Sequence, residues 1–156
     1  MSKVRTILFA EDDPVLLLVY RKHLKQAGHL VVPAVDGLET LKNLSMFEPD
    51  LLILDLMMPK FDGEELLQFI CNTPRLAKVS VIILSSKCTI DAEHEHLMKR
   101  ADKYLIKQDC TPALLLEAVT ELFSDQHQEK SARPATASVE SVPSMIRAGL
   151  NLYSGR

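Results

Sequence analysis

Five short apolar runs alternate with longer segments of helical periodicity along most of the chain. The runs cover residues 7–10, 30–35, 51–54, 80–84 and 104–106, and none alternates apolar with polar residues. That pattern is typical of strands buried on both faces, as in a parallel sheet. Helices are predicted over 15–27, 38–47, 64–72 and 90–100, and a last one begins at Thr111-Pro112. Because each parallel crossover needs a helix, the alternation predicts an α/β fold: a doubly wound, five-stranded parallel sheet with five helices.

Local signals support several of these boundaries. Asp13 precedes Pro14, which predicts an N-cap followed by proline at the first helical position. Gly28 is placed to end the first helix in a left-handed conformation. Pro33 within the second apolar run predicts an edge strand, because proline cannot donate to a neighbouring strand.

Composition excludes several classes of function. The 156 residues carry a net charge of −3 and no run of Lys or Arg, which argues against a nucleic-acid surface. No apolar run approaches the ~20 residues of a membrane span, and the first residues do not resemble a signal peptide. Cys71, Cys88 and Cys110 lie at no metal-binding spacing. We therefore expect a cytoplasmic protein with reduced thiols and no membrane partner.

The pattern changes near residue 124. Ten of the fourteen residues in 131–144 are Ser, Thr, Pro or Ala, without periodicity. We expect one domain over 1–124 and a flexible tail over 125–156, too short for an output domain. Ile146, Leu150 and Tyr153 have the spacing of a partner-docking helix, but Gly149 between them disfavours a helix.

Unusual polar residues follow the predicted strands. The first strand ends at Glu11 and Asp12, the third at Asp55, the fourth at Ser85 and the fifth just before Lys107. Each has an ordinary explanation alone, such as a helix cap or a solvated side chain. In an open parallel sheet, however, ligands bind beyond the carboxyl ends of the strands, where these residues would converge if strands one and three are neighbours. Three carboxylates together favour a hard cation, Mg²⁺.

The chain resembles the receiver domain of two-component response regulators, akin to the chemotaxis response regulator, over about residues 4–123. The resemblance lies in four stretches: 7–14 (ILFAEDDP), 49–63 (PDLLILDLMMPKFDG), 81–86 (VIILSS) and 101–107 (ADKYLIK). It implies the flavodoxin-like strand order 2-1-3-4-5. It also implies that Asp55 is the phosphoacceptor, that Glu11, Asp12, Asp55 and the Met57 carbonyl bind Mg²⁺, and that Ser85, Lys107 and Tyr104 stabilise the phosphoryl group and switch.

The resemblance further implies a stand-alone, non-enzymatic signalling protein. It would receive a phosphoryl group from a histidine kinase or histidine phosphotransfer protein. It would signal by contact through the face made by the predicted helix at 90–100, strand five and the last helix, as a monomer or a phosphorylation-dependent homodimer. Two alternatives remain: a pseudo-receiver scaffold that acts without phosphorylation, and a flavodoxin-like cofactor or phosphatase domain. The second is disfavoured because acids occupy the loop after strand one and no Asp-x-Asp pair is present.

Three residues depart from the family pattern. Gln108 stands where proline usually follows the lysine, and a cis bond to a residue other than proline costs ~2.5–4 kcal/mol. We therefore predict a trans Lys107–Gln108 bond and a loop that could run differently. Arg100 replaces a frequent glycine, and Lys87 is expected near the path of the hydrolytic water, where a cation could slow dephosphorylation.

Overall fold

A five-stranded parallel sheet forms the centre of the computed structural model, which describes residues 3–60, 62–86, 95 and 99–125. Its order is β2-β1-β3-β4-β5, which confirms the predicted topology. The strands are β1 (Thr6–Ala10), β2 (Leu30–Ala34), β3 (Leu51–Asp55), β4 (Ser80–Ser85) and β5 (Lys103–Ile106). The helices are α1 (Pro14–Gln26), α2 (Gly37–Met46), α3 (Gly63–Asn72) and α4 (Pro112–Asp125), and a 3-10 turn that the sequence did not predict covers Pro74–Leu76.

Several predictions concern residues that the structure does not describe. The predicted helix at 90–100 falls mostly outside the described residues. Cys88, Lys87 and the tail from residue 126 lie outside them entirely. The helices α1, α2 and α3 begin and end within two residues of the predicted limits, and α4 begins at the predicted Thr111-Pro112.

The apolar strands divide the core into two layers, one on each face of the sheet. On one face Leu8, Leu52 and Ile83 pack with α2 and α3. On the other Phe9, Ile53 and Ile82 pack with α1 and α4. All five residues of β3 are buried, as expected for the central strand of a sheet covered on both faces.

The predicted helix caps and the edge position of Pro33 are present. The Asp13 side chain accepts hydrogen bonds from the Val15 and Leu16 amides, which caps α1. Gly28 has φ = +94°, and the Gly28 and His29 amides donate to the Lys25 and Leu24 carbonyls, which is a Schellman motif. Pro33 lies in the edge strand β2.

Gly63 allows α3 to begin directly against the end of β3. A Cβ atom there would lie 2.6 Å from the Leu56 Cα and 3.0 Å from the Asp55 carbonyl oxygen. No side chain fits in that space without a shift of the main chain. The Asp62-Gly63 pair therefore forms a turn and also allows the start of α3 to pack against Asp55, the last residue of β3.

Candidate functional site

The carboxyl ends of four strands bring five of the predicted polar residues to one edge of the sheet. Glu11 follows β1 and Asp12 comes next, while Asp55 is the last residue of β3. Ser85 ends β4, and Lys107 follows β5. Their convergence results from the strand order, since β1 and β3 are adjacent and β4 and β5 lie beyond β3.

The Lys107 ammonium connects two of the carboxylates. Its Nζ lies 2.8 Å from Asp55 Oδ2 and 2.9 and 2.8 Å from the two Glu11 oxygens. Burial by itself lowers the pKa of this amine, but the bonds to Asp55 and Glu11 outweigh it and raise the pKa above its ordinary value. Lys107 is therefore a permanent cation at this site near neutral pH.

Glu11 is fully buried and only partly satisfied. Its Oε1 accepts from the Asp13 amide at 3.0 Å and from Lys107, whereas Oε2 accepts no well-aligned hydrogen bond from the described residues. Burial raises the pKa of Glu11 despite the nearby ammonium. A buried carboxylate oxygen that lies 2.8 Å from an ammonium but accepts no well-aligned hydrogen bond can still interact with a second cation.

Three carboxylates meet the requirements of a divalent cation. One oxygen each from Glu11, Asp12 and Asp55 lies within 4.8 Å of the others, and Asp12 is exposed whereas the other two are buried. In the part of the chain that the structure describes, the Lys107 ammonium pairs with two of the three, Glu11 and Asp55. Hard oxygen ligands with one side open to water fit Mg²⁺, which keeps several of its waters.

The main chain after β3 folds back onto Asp55. The Met57 amide donates to Asp55 Oδ1 at 2.9 Å, and the Asp55 side chain is 1% exposed. Met57 therefore lies beside the carboxylate, where the sequence predicted a carbonyl ligand. The close approach of Gly63 supports the same turn from the other side.

Residues 7–120 match the family model of the response regulator receiver domain. The chain belongs to this family. Receiver domains are signalling proteins of two-component systems rather than classical enzymes. They bind Mg²⁺ in an acidic pocket and interact with histidine kinases or phosphotransfer proteins.

The curated relatives that match this receiver domain are longer proteins. It is 33% identical over 121 residues to the gliding motility regulatory protein of Myxococcus xanthus, covering 78% of this chain and 16% of the relative. It is 35% identical over 101 residues to the DNA-binding dual master transcriptional regulator RpaA of Synechocystis, covering 65% of this chain and 42% of the relative. The chain thus spans well under two thirds of the length of either relative.

Solved structures share the fold over their whole length. The receiver domain of the Francisella response regulator 1452 has a TM-score of 0.70 at 27% identity and covers 78% of this chain and 98% of its own. The response regulator TrrA of Thermotoga maritima, solved in complex with Mg(2+)-BeF, has a TM-score of 0.65 at 26% identity, with coverages of 76% and 99%. No helix among the described residues of the receiver domain is long and apolar enough to cross a membrane.

Ser85 lies on β4, next to the strand of Asp55, and Tyr104 lies on β5, one strand further away. Ser85 is fully buried, and its carbonyl accepts from the Lys107 amide at 2.8 Å, which ties the ends of β4 and β5 together. Tyr104 pairs with Ile83 across the sheet and packs, half-buried, against the α2 and α3 core layer. Their role as a switch pair, which the family resemblance implies, stays a prediction.

Gln108 does not displace Lys107. The described residues contain no cis peptide bond, which confirms the predicted trans Lys107–Gln108 bond, and the Lys107 amine still reaches both buried carboxylates. Glutamine at this position is therefore compatible with the pairing of Lys107 with both carboxylates.

Two features of the site were not found from the sequence. One is the close approach of Gly63. The other is the ion pair between Lys60 Nζ and Asp36 Oδ2, 2.8 Å apart, which connects the loops after β3 and β2. Lys60 has φ = +69°, a conformation rare for a residue with a side chain. The sequence pattern Asp-x-x-Glu at Asp36 and Glu39 predicts a helix start, where Asp36 accepts from the Glu39 amide and Glu39 accepts from the Val35 amide. No local pattern predicts the pairing of Asp36 with Lys60.

Proposed function

We propose that this receiver domain accepts a phosphoryl group on Asp55 and signals by a phosphorylation-dependent protein contact. The observation that carries the proposal is the environment of Asp55. It is a buried carboxylate held between the Lys107 ammonium and the Met57 amide. Oxygens of Glu11 and Asp12 lie within 4.8 Å of it, close enough for the three carboxylates to share one metal ion. Phosphoryl transfer requires mainly such positioning and charge neutralisation.

The reaction is an in-line displacement at phosphorus. A carboxylate oxygen of Asp55 attacks the phosphorus while the bond from phosphorus to the donor's imidazole nitrogen breaks, and the nitrogen keeps the electron pair. The product is an acyl phosphate on Asp55 and an unphosphorylated histidine, which regains its proton from water. Lys107, already 2.8 Å from Asp55, neutralises charge on the transferred oxygens.

Glu11, Asp12, Asp55 and the Met57 carbonyl are the proposed Mg²⁺ ligands. When bound, Mg²⁺ supplies positive charge that stabilises the phosphoryl oxygens. The carboxylates hold an excess of negative charge for it, and Glu11 Oε2, although 2.8 Å from the Lys107 ammonium, accepts no well-aligned hydrogen bond from the described residues. The complex of the similar TrrA with Mg(2+)-BeF supports this assignment.

The conformational change that carries the signal begins at Ser85 and Tyr104. The new charge of about −1.5 to −2 on Asp55 attracts the Ser85 hydroxyl, and Tyr104 moves into the space that is released. Such a change shifts a population between two states of similar free energy. The surface around β5 and α4 then binds a downstream protein or a second copy of the chain.

Mass spectrometry of the intact protein tests the proposal. We expect incubation with acetyl phosphate and Mg²⁺ to add one phosphoryl group to the native chain and none to Asp55→Asn. Asp62→Asn is the matched control, because asparagine also caps a helix and should leave labelling unchanged. Asp12→Asn should require more Mg²⁺ for the same rate.

The competing pseudo-receiver hypothesis makes the opposite prediction. If the native chain gains no phosphoryl group under conditions that label a known receiver domain, the carboxylates serve binding alone. Labelling that persists in Asp55→Asn would instead assign the acceptor to another residue.

A further inference from the structure

The loop between β5 and α4 carries Lys107 and is held by a series of main-chain bonds. The Lys107 amide donates to Ser85, the Asp109 amide to the Ile106 carbonyl at 3.1 Å, and the Cys110 amide to the Lys107 carbonyl at 3.3 Å. The last two bonds form turns within the loop itself. They fix its shape but do not attach its far end to the rest of the domain.

Tyr20 makes that attachment from α1. Its hydroxyl donates to the Cys110 carbonyl at 2.5 Å, ninety residues away in sequence. The ring is 3% exposed and packs against Phe9, with the centroids 5.8 Å apart. Burial raises the pKa of Tyr20 to about 12, so the hydroxyl keeps its proton and donates throughout the neutral range.

A restraint on this loop matters because of Gln108. Proline at that position would fix one backbone dihedral angle, whereas glutamine leaves it free in the unfolded chain and in loop fluctuations. Cys110 is linked to Lys107 by its own amide and to α1 by its carbonyl. The hydrogen-bond chain from Tyr20 through Cys110 therefore ends at the main chain of Lys107.

We propose that Tyr20 is a positioning residue that holds the Lys107 ammonium against Asp55 and Glu11 through the Cys110 carbonyl. Its effect on phosphorylation rests on the proposed function, but its effect on Lys107 does not. Tyr20→Phe removes the hydroxyl and keeps the buried ring, so it isolates the hydrogen bond from the packing on Phe9.

The test measures the reactivity of Lys107 directly. The full chain is treated with the N-hydroxysuccinimide ester of acetic acid, and acetylation of each lysine is followed by peptide mass spectrometry. Native Lys107 should react slowly, because its side chain is 14% exposed and its amine is paired. In Tyr20→Phe we expect its rate to rise about fivefold, the scale set by one lost hydrogen bond, with no change at exposed Lys22.

Thr73→Val is the matched control. It removes another hydroxyl-to-carbonyl bond, from Thr73 to Phe69 at the end of α3, without touching the loop of Lys107. Its loss of stability should resemble that of Tyr20→Phe, but Lys107 should react as in the native chain. Equal acetylation of Lys107 in both variants would show a general loosening of the fold and overturn the proposal.

Phosphorylation is then measured with acetyl phosphate and saturating Mg²⁺. We expect Tyr20→Phe to be labelled about fivefold more slowly than the native chain and Thr73→Val at the native rate. Unchanged Lys107 reactivity, or increased reactivity with unchanged labelling, overturns the positioning role. If the native chain is not labelled at all, the proposed function fails, while the acetylation rates still decide whether Tyr20 holds Lys107.

Discussion

The two ends of the sheet use aspartate and glutamate in opposite ways. At the amino end, the Asp50 carboxylate accepts from the Thr6 amide at 2.8 Å and from Arg5 at 3.1 Å, and the Asp50 amide donates back to the Thr6 carbonyl. Asp102 is bonded to Val81 in the same way: its carboxylate accepts from the Val81 amide, and its own amide donates to the Val81 carbonyl. At the carboxyl end, Glu11 and Asp55 share the Lys107 ammonium, with the Asp12 carboxylate close by, and a buried oxygen of Glu11 accepts no well-aligned bond from the described residues.

This difference separates carboxylates that stabilise the fold from carboxylates that destabilise it. Asp50 and Asp102 join neighbouring strands and leave little uncompensated charge. The cluster at the other end keeps an excess of negative charge, and burial raises the pKa of Glu11. Like charges held together at a free-energy cost are typical of binding and reaction sites.

Removal of the Lys107 ammonium should have the largest effect at the carboxyl end. Lys107→Met keeps most of the side-chain volume but leaves Glu11 and Asp55 buried without their partner. We expect the free energy of unfolding to fall by about 3 kcal/mol, which is the lower end of the range for removing one partner of a buried ion pair. Labelling by acetyl phosphate should be about 100-fold slower. Urea denaturation and intact mass measure the two effects.

The same stability measurement in the presence of Mg²⁺ tests whether the ammonium and the metal ion share the carboxylates. Because Mg²⁺ would replace part of the lost positive charge, saturating Mg²⁺ should restore more stability to Lys107→Met than it adds to the native chain. Equal gains in both proteins would mean that the ammonium and the cation do not share the same carboxylates.

Gly63→Ala should have the next largest effect. The added Cβ would lie 2.6 Å from the Leu56 Cα, so the start of α3 and the end of β3 must separate. We expect a loss of about 2–3 kcal/mol and slower labelling, because Asp55 moves with its strand.

Gly28→Ala is the control at the other end of the sheet. Open space surrounds Gly28, but its φ of +94° disfavours any side chain. The substitution should cost about 1–2 kcal/mol and leave the labelling rate unchanged. Similar labelling rates in the two alanine variants would show that the close approach of Gly63 does not position the acceptor.

Asp50→Ala should destabilise the fold without changing the chemistry. It removes the acceptor of the Thr6 amide and the partner of Arg5, and we expect a loss of about 1–2 kcal/mol in urea denaturation. Labelling of the folded protein should proceed at the native rate. A labelling defect as large as that of Lys107→Met would contradict the division between the two ends.

Sequence reasoning recovered the site better than it recovered the contacts that support it. Glu11, Asp55, Ser85 and Lys107 could be found because each follows an apolar run, and the strand order brings such positions together. The Tyr20–Cys110 bond could not, because it joins residues ninety positions apart whose types are common in helices and loops.

The same limit explains why the two ends of the sheet looked alike in sequence. Asp50 and Asp55 both flank the run of β3, and nothing local shows that one will pair with Arg5 and the other with Lys107. Only the parallel pairing of β1 with β3 places one aspartate at each end, beside different partners.

The smallest expected effect concerns His29 at the amino end. Its ring lies 5.9 Å from the Phe123 ring, and its Nδ1 is buried without a hydrogen-bond partner among the described residues. Burial, and then the charge of Arg5, lower its pKa below the ordinary value of 6.5, although Asp50 opposes the shift.

The sign of the pH dependence follows from that direction. Near and below pH 6.5 the unfolded chain binds a proton at this histidine before the folded chain does. The free energy of unfolding should therefore fall as the pH drops through 6.5, until His29 is also protonated in the folded state. His29→Gln should reduce this slope, and an NMR titration of the His29 ring should show a midpoint below 6.5. A midpoint above 6.5 would mean that the Asp50 carboxylate, and not burial with Arg5, dominates the electrostatics of the amino end.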